Sequence, residues 1–359
     1  MRRILVVNPF GIGDVLFSMP LVQALRKTYP DAQIGYVANE RAHNVVRMSR
    51  AVDEVIMFNR DQFRRMGLHH TPLFLNKVGH FLSIIRRGRF DTMIDLSLAR
   101  QYSFFGFLLG IPKIVGFDYK GRGIFLNKKI RLEAYEGMPV AEKQLELLRF
   151  FDSAPKPDPA SFVWDYEIPE VFKRISTELM SQLHLSRGEP FIVVAPGGGR
   201  SWGRNALYKQ WDAEGFAQVC RRLRSERGMK FVFAGDSYES ELLNRTAQLA
   251  GAAGSVLISE ALPAVAGIIK ESRMMLCNDG GLMHLANMMG VKTVSLFGPV
   301  DENVYGPYRR NVQGEVLTAS VACRPCYSRF VFPECKFERQ CLSKISVESV
   351  SLAVEKVLH

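Results

Sequence analysis

Short apolar runs rich in β-branched residues alternate with amphipathic stretches along most of this chain, and this alternation constrains the fold more than any other feature. Apolar residues at helical spacing fill the stretches between the runs, for example over 14–29. The predicted strands are 3–8, 33–38, 54–58, 92–95 and 113–117 in the first half, and 191–195, 230–234, 256–258, 274–278 and 293–297 in the second. This rhythm predicts an α/β protein with parallel sheets covered on both faces by helices.

The alternation occurs twice, and residues 152–169, which lack periodicity and are proline-rich over 153–159, separate the two halves as a linker or irregular excursion. A chain of 359 residues suits two domains better than one core. We therefore predict a doubly wound domain over 1–170 and a second over 171–342, followed by a C-terminal helix over 343–359. Ligands of such sheets bind at the carboxyl ends of the strands.

Positive charge is concentrated in the first half of the chain. Residues 1–150 hold 23 Lys and Arg against 13 Asp and Glu, out of a net charge of +11 for the whole chain. This bias favours an anionic partner near the first domain, or else a basic surface that only aids solubility. The basic clusters Arg64-Arg65, 86–89 and Lys128-Lys129 lack the interleaved aromatic residues of a single-strand binder, so no nucleic-acid partner is expected.

The N-terminal stretch MRRILVVNPF is too short an apolar run for a signal peptide, and we interpret it as a buried first strand. No run approaches the roughly 18 apolar residues of a membrane-spanning helix. A cytoplasmic protein is expected.

The first glycine motif, residues 8–14, lies between the first predicted strand and helix. Gly11 and Gly13 allow a tight turn and close approach to a ligand. Asp14 falls at the helix start, where it either caps the helix or acts as a general base at the cleft edge. The spacing differs from a dinucleotide-binding fingerprint.

The second motif, Pro196 followed by Gly197, Gly198 and Gly199, comes directly after a predicted strand. Its backbone amides could hold phosphate, or the segment could be a flexible loop. Lys209 follows as a candidate phosphate contact, with a solvated surface lysine as the alternative.

The third motif, residues 278–286, is the most specific, because it ends a strand and opens a helix. Gly280 and Gly281 permit close approach at the helix N-terminus, which favours anions. His284 lies about one turn into the helix. The alternative is that Asp279 caps the helix and His284 is an ordinary buried histidine.

In this order, the three motifs resemble glycosyltransferase family 9, the bacterial heptosyltransferases of lipopolysaccharide core assembly. The resemblance rests on the segment 11–16 with Pro20, and on 278–286 with Leu296-Phe297-Gly298-Pro299. It spans nearly the whole chain. It implies a GT-B fold, in which two Rossmann-like domains face a central cleft and the last helix returns toward the N-terminal domain.

The resemblance further implies an inverting transfer of a heptose or related sugar from an ADP-sugar co-substrate to an anionic, lipid-linked lipopolysaccharide core acceptor, with no metal or other cofactor required. Peripheral contact with the cytoplasmic face of the inner membrane is expected. Asp14 would be the base, beside Gly11 and Gly13 on the acceptor side. The implied donor-site residues are Pro196, Gly197, Lys209, Glu239, Asp279, Gly280, Gly281 and His284.

Two positions depart from the family pattern, because Gly280 and Val300 stand where a hydroxyl side chain is common. These departures bear on the identity of the sugar rather than on the reaction. Two other functions remain alternatives at this stage. One is a GT-B-like nucleotide-sugar epimerase or hydrolase, which needs no acceptor, and the other is a non-catalytic nucleotide-binding protein.

Four of the six cysteines cluster near the C-terminus as Cys323, Cys326, Cys335 and Cys341. Four thiolates can hold a structural zinc ion, but only the first pair has the regular C-x-x-C spacing. Reduced packing cysteines and an oxidisable pair are the alternatives, and disulfides are disfavoured in a reducing compartment.

Overall fold

A computed structural model describes residues 2–58, 71–151, 155–186, 188–258 and 261–359. The predicted basic cluster Arg64-Arg65 and linker residues 153–154 lie outside these ranges. The chain forms two compact units. The first comprises 1–158 and 164–167, and the second comprises 159–163 and 168–359.

The first unit is built on a six-stranded parallel sheet in the order β3-β2-β1-β4-β5-β6. Its strands are β1 Arg3–Asn8, β2 Gln33–Ala38, β3 Glu54–Met57, β4 Thr92–Asp95, β5 Lys113–Tyr119 and β6 Lys128–Leu132. Its α-helices are α1 Ile12–Thr28, α2 His43–Val46, α3 Thr71–Gly88, α4 Arg100–Leu108 and α5 Val140–Leu145. The edge strand β6 was not predicted.

The second unit repeats this design, with the strand order β9-β8-β7-β10-β11-β12. Its strands are β7 Phe191–Ala195, β8 Lys230–Gly235, β9 Val256–Ile258, β10 Met274–Asn278, β11 Thr293–Phe297 and β12 Gly314–Thr318. Its α-helices are α6 Glu170–Gln182, α7 Ala213–Arg227, α8 Ser240–Leu249, α9 Leu262–Glu271, α10 Gly281–Met288, α11 Glu302–Tyr305, α12 Gln340–Ser343 and α13 Val347–Leu358.

In both units the order in which strands are added to the sheet reverses beside the first strand, between β1 and β4 and between β7 and β10. This strand order is the doubly wound Rossmann pattern, whose ligands bind at the carboxyl edge of that switch point. The central strands are buried along almost their whole length. A site is therefore expected at the ends of these four strands.

The C-terminal helix α13 belongs to the second unit. Val350, Val354 and Val357 lie fully buried in the same core as Phe216 of α7 and Leu296 of β11. That the helix also returns toward the first domain stays a prediction. Within the described residues, no helix is both long enough and apolar enough to cross a membrane.

The segment predicted as a linker is partly structural. Trp164 is 2% exposed and stacks on Tyr166, with ring centroids 4.9 Å apart. Tyr166 pairs in a β-bridge with Ser49, and Glu167 accepts a 3.1 Å hydrogen bond from Arg50. These contacts tie residues 164–167 to the first unit.

Candidate functional site

Asn278 organises the carboxyl edge of the second sheet at its switch point. It ends β10 and is almost completely buried. Its Nδ2 donates to the Pro196 carbonyl at 2.7 Å, and its Oδ1 accepts from the Trp211 amide at 3.1 Å. One amide side chain thus joins the ends of β7 and β10 to the segment that carries Lys209. This role was not predicted from the sequence. The available signal was a single polar residue, Asn278, at the end of an apolar strand.

Lys209 and Asp279 form a buried ion pair at this edge. Lys209 ends a 3₁₀ segment, Arg200–Lys209, and its Nζ lies 2.7 Å from Asp279 Oδ2. The two side chains are 7% and 6% exposed. The ammonium also lies 4.6 Å from the centroid of the Trp202 ring. The alternative of a solvated surface lysine is therefore wrong, because the charge is buried and held from two sides.

His284 lies one turn into α10 and contacts the same carboxylate. Its Nε2 is 3.9 Å from Asp279 Oδ1. Burial lowers the pKa of His284, Asp279 partly opposes that effect and Lys209 adds to it, and the resulting pKa is about 4. The ring is therefore neutral near pH 7, where it can offer a hydrogen bond without adding charge.

Glu239 occupies the space left open by Gly197. Glu239 Oε1 accepts a 2.9 Å hydrogen bond from the Gly199 amide, and Oε2 accepts a 3.4 Å bond from the Asp236 amide. A Cβ atom added to Gly197 would lie only 1.8 Å from Glu239 Oε1. A Cβ on Gly198 would lie 2.6 Å from the Ala206 carbonyl oxygen. The loop 196–199 is thus closely packed, and the Gly199 amide donates its hydrogen bond to the Glu239 carboxylate.

Gly280 and Gly281 open α10, Gly280 as its N-cap and Gly281 as its first residue. A Cβ on Gly280 would meet no atom closer than 3.9 Å. The backbone there is extended, with φ of −173°, which any residue adopts. Gly280 therefore leaves open space at the start of α10.

Asp14 lies in the other unit, at the carboxyl edge beside β1. Helix α1 begins at Ile12 with Gly11 as its N-cap, so Asp14 is the third helical residue rather than the cap. Its Oδ2 accepts a 3.2 Å hydrogen bond from the Gly11 amide, and Asn8 Nδ2 donates to its backbone carbonyl at 2.9 Å. The carboxylate is partly exposed. Gly13 lies in the same turn.

Asp95 is a second carboxylate at this switch point, and no functional role was predicted for it. It ends β4 opposite Val7 of β1 and is 4% exposed. Burial raises the pKa of Asp95 to about 6, against the opposing effect of hydrogen bonds that include a 2.9 Å bond from the Ser97 amide. The available sequence signal was an acidic residue at the end of an apolar strand.

The four clustered cysteines are free, with Cys341 buried in the core and the other three half-buried. Burial and the neighbouring sulfurs raise the pKa of Cys326, and that of Cys341 to about 11. Across the described ranges, which include all four, no group of three or more His, Cys, Asp or Glu is arranged to hold a metal ion.

Two sheets of the same doubly wound order, each with polar groups at its switch point, define a protein of the GT-B class. The solved E. coli ADP-heptose lps heptosyltransferase II covers 100% of this chain and 98% of its own, with a TM-score of 0.75 and 23% identity. The family 9 glycosyl transferase from Veillonella parvula covers 99% and 97%, with a TM-score of 0.81 and 24% identity. The predicted fold class is confirmed.

The family model described as glycosyltransferase family 9 (heptosyltransferase) matches residues 78–331. Lipopolysaccharide heptosyltransferase 2 of E. coli K12 is 26% identical over 317 residues, covering 83% of each chain. Lipopolysaccharide heptosyltransferase 1 of Pseudomonas aeruginosa is 24% identical over 332 residues, covering 91% of this chain and 86% of its own. The chain belongs to glycosyltransferase family 9, which confirms the expected family and identifies it as a glycosyltransferase.

Proposed function

We propose that this protein transfers a heptose from an ADP-heptose donor to a lipopolysaccharide core acceptor, with inversion at the anomeric carbon and without a catalytic metal. The observation that carries the proposal is the buried set of Lys209, Asp279 and His284 at the switch point of the second sheet. The names of the relatives support heptose and lipopolysaccharide as the substrate classes. The family also favours transfer over the epimerase and binding-protein alternatives.

On the donor side, the departing diphosphate gains negative charge as the glycosidic bond breaks. Lys209 supplies a fixed positive charge, because Asp279 and the Trp202 ring hold its ammonium in place before substrate arrives. The N-terminal amides of α10 add partial positive charge at the same edge. Such preorganised groups stabilise charge that develops in the transition state. In this proposal they do the work that a metal ion does in other transferases.

Neutral His284 complements this charge by donating a hydrogen bond to a donor oxygen. A protonated ring would compete with Lys209 for Asp279, whereas burial keeps the ring uncharged. The side chain thus orients the donor through a hydrogen bond and adds no charge to the site.

Glu239 is placed to accept hydrogen bonds from the donor ribose. It follows β8, the second strand of its unit, and a carboxylate after that strand binds ribose hydroxyls in doubly wound nucleotide-binding domains. The Gly199 and Asp236 amides orient its carboxylate.

On the acceptor side, Asp14 is the proposed general base. The Gly11 amide fixes its carboxylate at the first turn of α1, and Asn8 fixes the backbone beneath it. A positioned base that removes the acceptor hydroxyl proton contributes roughly 10²–10⁴ in rate. The excess of 23 basic over 13 acidic residues in 1–150 favours an acceptor rich in phosphate and carboxylate.

The proposal is tested by incubating the purified protein with ADP-heptose and a deacylated core oligosaccharide. We expect a product one heptose heavier, with the anomeric configuration opposite to that of the donor by NMR, at the same rate with and without a chelator. Consumption of ADP-heptose without acceptor, retention of configuration, or loss of activity with the chelator would each contradict part of the proposal.

A further inference from the structure

Four exposed apolar side chains and the half-buried Phe125 form one surface on the first unit. We call this surface the aromatic patch, and it consists of Phe104, Phe107, Leu108, Ile124 and Phe125. Phe107 is 62% exposed, Leu108 60% and Ile124 63%. The Phe125 ring centroid lies 5.1 Å from that of Phe104 and 5.5 Å from that of Phe107. The second half of α4 and the loop before β6 thus share one apolar surface.

The fold does not need this surface, because α4 already buries its other face. Tyr102 and Ser103 are both buried, and Phe105 packs edge-on against Phe81 with centroids 6.2 Å apart. The exposed residues of the aromatic patch are additional to that core contact. Contiguous exposed apolar residues of this kind mark interaction sites.

Basic residues are frequent in the segments that carry the aromatic patch. Between residues 98 and 131 the chain has seven Lys and Arg but a single acidic residue, Asp118, which is paired with Lys129 at 3.2 Å. Arg122 Nη1 donates to the Leu98 carbonyl at 3.5 Å, which places this loop arginine at the start of α4. Lys120, Arg122 and Arg100 are all exposed. The two segments that carry the aromatic patch, α4 and the loop before β6, thus also carry exposed basic residues, which we call the basic border of the patch.

We propose that the aromatic patch is the surface by which this enzyme docks on an anionic lipid bilayer. Its apolar side chains would enter the interface between headgroups and acyl chains, while the basic border contacts anionic headgroups. A second copy of the chain is the less suitable occupant, since two such borders would repel each other. The inference extends the proposed function, because a lipid-linked acceptor is presented at a membrane.

The test is cosedimentation of the full chain with vesicles of phosphatidylethanolamine and phosphatidylglycerol, compared with vesicles of phosphatidylcholine. We expect binding to the anionic vesicles that weakens as salt is added. The double variant Phe107→Ser/Leu108→Ser should bind at least tenfold more weakly. Lys120→Gln/Arg122→Gln should bind roughly thirtyfold more weakly, since each basic residue near a charged bilayer contributes about 1 kcal/mol.

Matched control variants alter exposed residues of the second unit. Val171 and Leu352 are 59% and 55% exposed, and Val171→Ser/Leu352→Ser should bind vesicles as the wild type does. Equal binding to neutral and anionic vesicles, wild-type binding by both patch variants, or an effect of the Phe107→Ser/Leu108→Ser change on the oligomeric state alone would overturn the proposal.

Transfer to the deacylated, water-soluble acceptor separates this inference from the proposed function. The patch variants should retain the wild-type rate on that acceptor, since they alter docking and not chemistry. If the wild type binds anionic vesicles but transfers no heptose, the surface assignment stands and the proposed function fails. If the variants lose activity on the soluble acceptor while binding vesicles normally, the surface assignment fails.

Discussion

Removing the charge of Lys209 should destabilise the second unit strongly, because Asp279 would remain as an unpaired buried carboxylate. The two side chains are 7% and 6% exposed and their charged atoms are 2.7 Å apart. Breaking a buried pair by deleting one partner costs about 3–5 kcal/mol. In a unit of about 200 residues each kcal/mol lowers the melting temperature by about 2–4 °C. Lys209→Met should therefore lower the Tm of that unit by about 6–20 °C in calorimetry.

The double variant Lys209→Met/Asp279→Asn tests the cause. It removes both charges, so it should recover at least half of the lost stability. Lys173→Met serves as a control, because Lys173 pairs with Glu170 on the exposed surface of α6 and its loss should cost less than about 1 kcal/mol. A change below about 1 kcal/mol for Lys209→Met, or no recovery in the double variant, would refute the argument that the pair is buried and mutually dependent.

Three further variants address single contacts at the two switch points. Gly197→Ala should displace the Glu239 carboxylate and weaken ADP binding in calorimetry about tenfold or more; unchanged affinity would remove Glu239 from the donor site. The folded-state pKa of His284, about 4, lies below the unfolded value near 6.5, so the unfolded state binds a proton more readily. The free energy of unfolding of the wild type should therefore fall by about 3 kcal/mol as the pH drops from 6.5 to 4. His284→Gln should lose most of that dependence in urea titrations, and an unaltered slope would contradict the assignment. The folded-state pKa of Asp95, about 6, lies above the unfolded value, so Asp95→Asn should stabilise the first unit by about 1–3 kcal/mol at pH 8 and by little at pH 4; equal effects at both pH values would count against it.

The central strands could be predicted from sequence because burial on both faces makes them continuous apolar runs. The edge strands β6 and β12 could not, since they are only partly buried and carry polar residues such as Lys128 and Glu315. The stacking of Trp164 on Tyr166 could not be predicted, because the segment around them has no periodic pattern. Composition describes a stretch of sequence and does not identify the residues, far away along the chain, against which that stretch packs.

The same limit applies to the site. The motif around Asp279 could be located by its glycines and helix start, but its pairing with Lys209 depends on the 3₁₀ path of 200–209, which has no periodic signal. The glycines after β7 suggested a phosphate loop, whereas Gly197 and Gly199 accommodate and orient Glu239. Glycine permits several kinds of close approach, and only the three-dimensional neighbours distinguish them.

The most direct test of the catalytic proposal is the activity of Asp14→Asn. The amide oxygen of asparagine can still accept the hydrogen bond from the Gly11 amide, so the helix start should persist while the proposed base is lost. With ADP-heptose and the deacylated acceptor, kcat should fall at least about 100-fold, the affinity for ADP-heptose should change less than about twofold, and the exposed control Asp31→Asn should behave as the wild type. An Asp14→Asn enzyme that keeps more than about half of the wild-type kcat would contradict the account.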